Sequence, residues 1–155
     1  MPTVEQTVDI AAPIESVWNK VADPSLVPKL APDIISNVSE PPGMAVVGQK
    51  GHAIGKIGGR RTELFSEVTE LVPNKKIVIS QRPGGLFKTF SSTVMLEPSK
   101  KGTRATQKFV YETSMGYLGK AISTIIVNRT VNRNAKGFLV NVKELAELRE
   151  LPKTA

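Results

Sequence analysis

The sequence predicts an α+β domain in which a seven-stranded, curved antiparallel sheet wraps around one long C-terminal helix. Three observations carry this expectation. Residues 3–11, "TVEQTVDIA", alternate along the chain and run into Pro13, which opens a short amphipathic helix. Six strand-like runs follow between residues 34 and 113, separated by turn signals such as "PPG", "GG", "PN", "PGG" and "PSKKG". After Gly116 those signals stop, and residues 117–150 read as one helix ending before Pro152.

Each element has a local reason. In the first strand Val4, Gln6, Val8 and Ile10 share one parity and Thr3, Glu5, Thr7 and Asp9 the other, as a half-buried strand requires. Pro13 suits a first helical turn because the N–H it lacks would be unpaired there, and Ile14, Val17, Trp18 and Val21 follow at helical spacing. Prolines 24, 28 and 32 confine the next segment to a short helical turn over residues 24–30. The strand-like runs cover 34–40, 45–55, 60–71, 75–82, 86–97 and 103–113, and their short links favour antiparallel neighbours. In the long helix Val131, Ala135, Phe138, Val142 and Leu145 fall on one stripe that must lie on the sheet.

A twisted sheet curls around a straight helix without touching all of it, so a pocket is expected between the two. Five Phe, two Tyr and one Trp are few plugs for that space. Trp18 shares its face with Ile14 and Val21, which predicts a packing role in which the first helix closes the open end of the sheet.

Composition narrows the function classes. The 155 residues show no break, so residues 1–155 read as a single domain. Cysteine is absent, which excludes disulfides, thiolate metal sites and cysteine nucleophiles and suits a reducing compartment. The opening "MPTVEQTVDI" has neither a basic nor an apolar leader segment, and no apolar run reaches the about 18 residues of a membrane span, so a cytoplasmic protein is expected. The formal charge of +7 comes from scattered residues: Arg60–Arg61, Lys75–Lys76 and Lys100–Lys101 beside turns, and Arg129, Arg133 and Lys136 on the helix. Pairs beside turns are solubilising decoration, and no nucleic-acid partner is expected.

Five phrases resemble one superfamily: "VDIAAPIESVW" at 8–18, "VADPSLVPKLAP" at 21–32, "VTELVPNKKIVI" at 68–79, "LEPSKKGTRATQ" at 96–107 and "FLVNVKELAEL" at 138–148. In this order, over nearly the whole chain, they are similar to the START-like, helix-grip (SRPBCC) proteins, especially the polyketide cyclase/dehydrase and lipid-transport branch. The resemblance implies a β-α-α-β6-α fold whose cavity takes a small hydrophobic ligand such as a lipid, quinone or polyketide-like compound, for binding, transport or sequestration. It equally admits a cyclase/aromatase-type enzyme using the same cavity, because this fold hosts many functions. The superfamily's oxygenases hold iron with two histidines and a carboxylate; one histidine, His52, cannot supply that set, so neither metal nor other cofactor is expected.

A cyclase or dehydratase needs a general acid or base, and His52 is the candidate. It shares parity with Lys50, Ile54 and Lys56, so a solvated histidine outweighs a catalytic one. On the last strand Arg104, Thr106, Lys108 and Glu112 mark the solvent face, which turns Thr103, Ala105, Gln107, Phe109 and Tyr111 toward the helix; Phe90, Ser92, Val94 and Leu96 face the same way on the strand before. The expected ligand-binding set is Phe90, Ser92, Val94, Gln107, Phe109 and Tyr111, with Tyr117, Ala121 and Thr124 from the start of the long helix. For Gln107 and Tyr111 a hydrogen-bonded core role weighs evenly against a ligand role. No "GxSxG" elbow, Walker loop or "GxGxxG" fingerprint occurs, and the glycines of "GKIGGRR" precede a strand and read as a hairpin turn. Leu118, Ile122, Ile125 and Ile126 lie opposite the sheet-facing stripe and continue into Arg129, Arg133 and Lys136. Either neighbouring loops or the preceding turn cover them, or a kink near Gly119 changes the phase of the helix, or the region near Leu118, Ile122, Ile125 and Arg129 makes transient contact with a membrane surface or a partner.

Overall fold

The computed structural model describes residues 3–57, 60–81, 87–113 and 120–150. The elements run β1 (Thr3–Ile10), α1 (Ile14–Val21), a 3-10 turn (Pro24–Leu26), α2 (Val27–Leu30), β2 (Ile34–Glu40), β3 (Lys50–Ile57), β4 (Arg60–Val72), β5 (Lys76–Gln81), β6 (Phe87–Pro98), β7 (Thr103–Thr113) and α3 (Lys120–Glu150). All seven strands form one antiparallel sheet in the order β1-β7-β6-β5-β4-β3-β2. The α+β architecture expected from the sequence is therefore the observed one.

One strand boundary differs by more than two residues. The third strand was expected from residue 45 but begins at Lys50. Residues 45–49 instead bond to three different places: Ala45 N–H donates to Ala22 O, Gly48 N–H to Val68 O and Gln49 N–H to Val46 O. Gly48 takes φ +89°, a conformation glycine adopts without penalty, so the apolar "AVV" turns rather than extends.

The apolar stripe of α3 divides the core into adjoining clusters. Toward the C-terminal end Leu139, Val142 and Ala146 pack with Ile10, Val17, Leu30, Leu96 and Ala105; nearer its start Val127, Val131 and Ala135 pack with Val4, Phe109 and Tyr111. A third cluster, Ala22, Val68 and Ile77, lies under α1. Trp18 packs against both the first and the third, so the indole holds α1 across the end of the sheet, as its shared face with Ile14 and Val21 implied.

Polar and steric fastenings join the helices to one another and to the sheet. Thr103 Oγ1 donates to Ala12 O at 2.8 Å, and Asn141 Nδ2 donates to Leu30 O at 2.8 Å. Gly137 lets α3 pass close to Pro32: a Cβ there would lie 2.5 Å from Pro32 Cγ. Glu147 accepts the Ala11 N–H at 2.8 Å and pairs with Lys143. The Ala11 hydrogen bond first, and the Lys143 contact after it, hold the Glu147 carboxyl below its usual range.

Two outcomes follow. Gly137→Leu drives a branched side chain into a rigid proline ring and is expected to lower unfolding free energy by ~1–3 kcal/mol in chemical denaturation; an unchanged midpoint would show that α3 and Pro32 separate freely. A depressed folded-state pKa stabilises above the unfolded pKa and is lost as pH falls through the folded one. Glu147→Gln should therefore lower the melting temperature near neutral pH and converge with the parent chain in acid below the carboxylate range, whereas a pH-independent offset would contradict this origin.

Candidate functional site

Between the concave face of the sheet and α3 lies a cavity of about 410 Å³. Its formation follows from where α3 packs: against β1, β7 and the two N-terminal helices. The sheet curves away from the helix over β3, β4 and β5, whose inward residues are Gly51 and Ala53, Leu64, Ser66 and Val68, and Ile77, Ile79 and Gln81. Strand β6 contributes Phe90, Ser92 and Val94, and β7 contributes Gln107 and Phe109. The helix supplies Val127, Thr130, Val131, Asn134 and Phe138, while Val21, Ala22, Val27 and Ala31 close the α1–α2 side. The wall is mostly apolar with a few separated polar groups, the usual make-up of a small-molecule pocket.

Of the residues expected at the site, Phe90, Ser92, Val94, Gln107 and Phe109 line the cavity. Gln107, only 2% exposed, donates from Nε2 to Ser92 Oγ at 2.7 Å, so its amide is satisfied within the cavity wall that it helps to form. Tyr111 is a correction. It is fully buried in the cluster around Val4, Val127 and Ala135 and does not line the cavity, because the twist of β7 carries it beneath the helix instead of beside it. Its hydroxyl donates to Asn128 Oδ1 at 2.9 Å, and burial pushes the phenol pKa up. Phe90 bridges the two regions, with ring centroids 5.2 Å from Phe109 and 6.3 Å from Tyr111.

His52 lies on the outer face of the sheet, away from the cavity that its neighbours Gly51 and Ala53 line. Its ring stacks on Phe65 at 4.6 Å, and Nε2 is 3.6 Å from Glu63 Oε1. It cannot act on a molecule held in the cavity. Tyr117 and Leu118 lie outside the described residues, as do the side chains of Ala121, Ile122, Thr124 and Ile125; Arg129 is exposed on α3. Among the described residues, no cluster of three or more His, Cys, Asp or Glu could hold a metal ion, and no helix is long and apolar enough to cross a membrane.

Sequence reasoning missed the half of the wall made by β2 to β5. Asn37 and Ser39 face the cavity while Val38 between them is 67% exposed, the reverse of the alternation a core strand shows. The same inversion recurs where Ser66 points in and Phe65 out. Small or polar residues on the inner parity beside apolar ones on the outer were the available signal.

Gln49 shapes one corner. Its side chain is 3% exposed and donates from Nε2 to Pro41 O at 2.9 Å and to Gly43 O at 3.2 Å, folding the β2–β3 connection back beside the cavity. Gln49→Leu leaves those carbonyls unpaired; it is expected to cost ~1–3 kcal/mol in denaturation and to speed amide exchange across residues 41–48. Unaltered exchange there would show that the amide does not hold the loop.

A curved antiparallel sheet closed over a C-terminal helix, with an apolar cavity between them, defines a helix-grip, START-like domain. The chain belongs to the polyketide cyclase/dehydrase and lipid transport family, whose model matches residues 1–147. No curated protein matches it. Among solved structures it is similar to the Zhui aromatase/cyclase of Streptomyces sp. R1128, with a TM-score of 0.85 and 20% identity over 99% of this chain and 98% of that one. TTHA0849 of Thermus thermophilus gives a TM-score of 0.79 and 20% identity, covering 96% of this chain and 99% of that one. A START superfamily protein of Mycobacterium smegmatis gives 0.71 and 18%, covering 92% and 98%. At these identities the likeness is one of fold.

Proposed function

We propose that the chain binds a small hydrophobic or amphipathic molecule, such as a lipid, quinone or polyketide-like compound, between the sheet and α3. The observation that carries this reading is the about 410 Å³ cavity, kept open by Gly51, Ala53, Ser66 and Ser92 where larger side chains would fill it. Burying roughly 200 Å² of apolar ligand surface there supplies about 5 kcal/mol before association costs are subtracted.

A cyclase/aromatase activity in the same cavity is the second reading, supported by the family and by the fold shared with an aromatase/cyclase. Among the described residues, the ionisable ones along the wall are Asp33 and Lys50. Asp33 accepts from Asn134 Nδ2 at 3.3 Å and lies 3.9 Å from Arg133, and Lys50 is exposed, so neither is a free acid or base inside the cavity. That favours binding over proton transfer.

Ala53→Trp places an indole in the cavity. It should weaken binding of a naphthalene-type fluorophore at least about tenfold while circular dichroism stays that of the parent chain, because the ligand's apolar surface is no longer buried. Parent-like affinity in a folded variant would locate binding elsewhere. Turnover of a poly-ketone substrate by the parent chain, lost in the same variant, would establish the enzyme reading instead.

A further inference from the structure

The β2–β3 link, residues 41–49, carries apolar side chains on its outside. In the run from Met44 to Val47, Met44, Val46 and Val47 are exposed, Val46 by 49% and Val47 by 62%. The backbone beneath them is fastened: Ala45 N–H donates to Ala22 O and Gly48 N–H to Val68 O, both at 2.8 Å, and the buried Gln49 amide holds Pro41 O and Gly43 O. A fixed loop thus presents a fixed apolar tip, a feature that marks an interaction site when it stands in water. In an antiparallel sheet every second turn falls at the same end. The pairs Glu40 with Lys50, Val72 with Lys76 and Pro98 with Thr103 border the β2–β3, β4–β5 and β6–β7 links, so these three links share one end. The other two bring Lys75, Lys100 and Lys101, all exposed and none in a salt bridge with a described residue; Lys101 only adds to the field at Glu147. The carboxylates closest to them in sequence, Glu70 and Glu97, are neutralised by Lys76 at 3.0 Å and Arg104 at 3.8 Å, and Glu40 stands opposite Lys50 in the register.

We propose that this end of the sheet docks on an anionic lipid surface, with Met44, Val46 and Val47 entering the headgroup boundary and Lys75, Lys100 and Lys101 resting against lipid phosphates. Charge and layout favour lipid over a protein partner. The lysines stand on separate links, and the strand order puts four strand spacings, up to about 20 Å, between the β2–β3 and β6–β7 links. A fluid surface of anionic headgroups meets each cation wherever it lies across that width, while the apolar tip needs only shallow burial. The same loop is cavity wall on its inner side, through Ala45 and Gln49, so docking would set that wall against the lipid. The docking surface does not depend on what the cavity binds, and it is tested without a cavity ligand.

The test is sedimentation of the full chain with vesicles of phosphatidylcholine alone and of phosphatidylcholine with about one-third phosphatidylglycerol. The parent chain should bind the mixed vesicles, bind the neutral ones at least about tenfold more weakly, and lose affinity as salt rises. Val46→Ser with Val47→Ser should weaken binding to the mixed vesicles at least about threefold, because two apolar side chains no longer enter the interface. Lys75→Gln, Lys100→Gln and Lys101→Gln together should weaken it at least about tenfold. Lys56→Gln, Arg129→Gln and Lys136→Gln remove the same charge from exposed positions elsewhere and should leave it within about threefold. All these positions are exposed, so melting curves should match the parent's; should the valine set or the first lysine set fail to fold, the other decides. No binding to the mixed vesicles, equal losses from the two charge sets, or full binding by the valine variant would overturn the docking surface. A parent chain that is dimeric in solution, and monomeric with the two valines replaced, would give the tip to a second copy instead.

Discussion

Everything distinctive in this molecule depends on a mismatch of shape between a 31-residue helix and a twisted sheet. The helix packs closely on β1 and β7 and on the two N-terminal helices. Twist then carries the middle strands away from it, and space opens in proportion to the size of the side chains that face it. Where those are Leu139, Val142, Leu96 and Ile10, the gap closes into core. Where they are Gly51, Ala53, Ser66 and Ser92, it remains a cavity.

A cavity costs cohesion, since atoms that line it lack neighbours on one side. The fold offsets this at the perimeter. Asn141 to Leu30, Thr103 to Ala12 and Glu147 to Ala11 tie the helices to one another and to the β1 end of the sheet, and Gly137 lets α3 come within touching distance of Pro32. Trp18 joins two clusters at the remaining end. Gln49, Gln107 and Thr103 are buried polar residues that all find partners, so rigidity is concentrated in the frame.

How readily each part of the site could be read depended on whether hydrophobicity and direction agreed. On β6 and β7 they agree: charged Arg104 marks the outside, and Val94 and Phe109 fall inward as alternation requires. On β2 to β4 they conflict. Val38 and Phe65 are exposed while Asn37 and Ser66 face the cavity, so a hydrophobic-parity argument assigns those strands the wrong inner face or none. Disagreement between pattern and fold is expected at sites kept for function rather than for stability. Tyr111 shows the opposite error: its parity was right, but parity does not say how far along the strand the helix crosses.

The sequence by itself determined the order and kind of the elements, because proline, glycine and period-two alternation act within a few residues of where they stand. It also placed α1 through Pro13 and Trp18, oriented α3 through the Val131 to Leu145 stripe, and removed thiol and oxygenase-type iron chemistry by its lack of cysteine and its single histidine. Only the tertiary structure decided that β2 to β5 form half of the cavity wall, that His52 stands outside it, and that Gly51 lets the Ser66 hydroxyl lie close against the backbone of β3. Those facts depend on strand register and accumulated twist, which bring together residues 37, 51, 66 and 81. No local signal encodes that meeting.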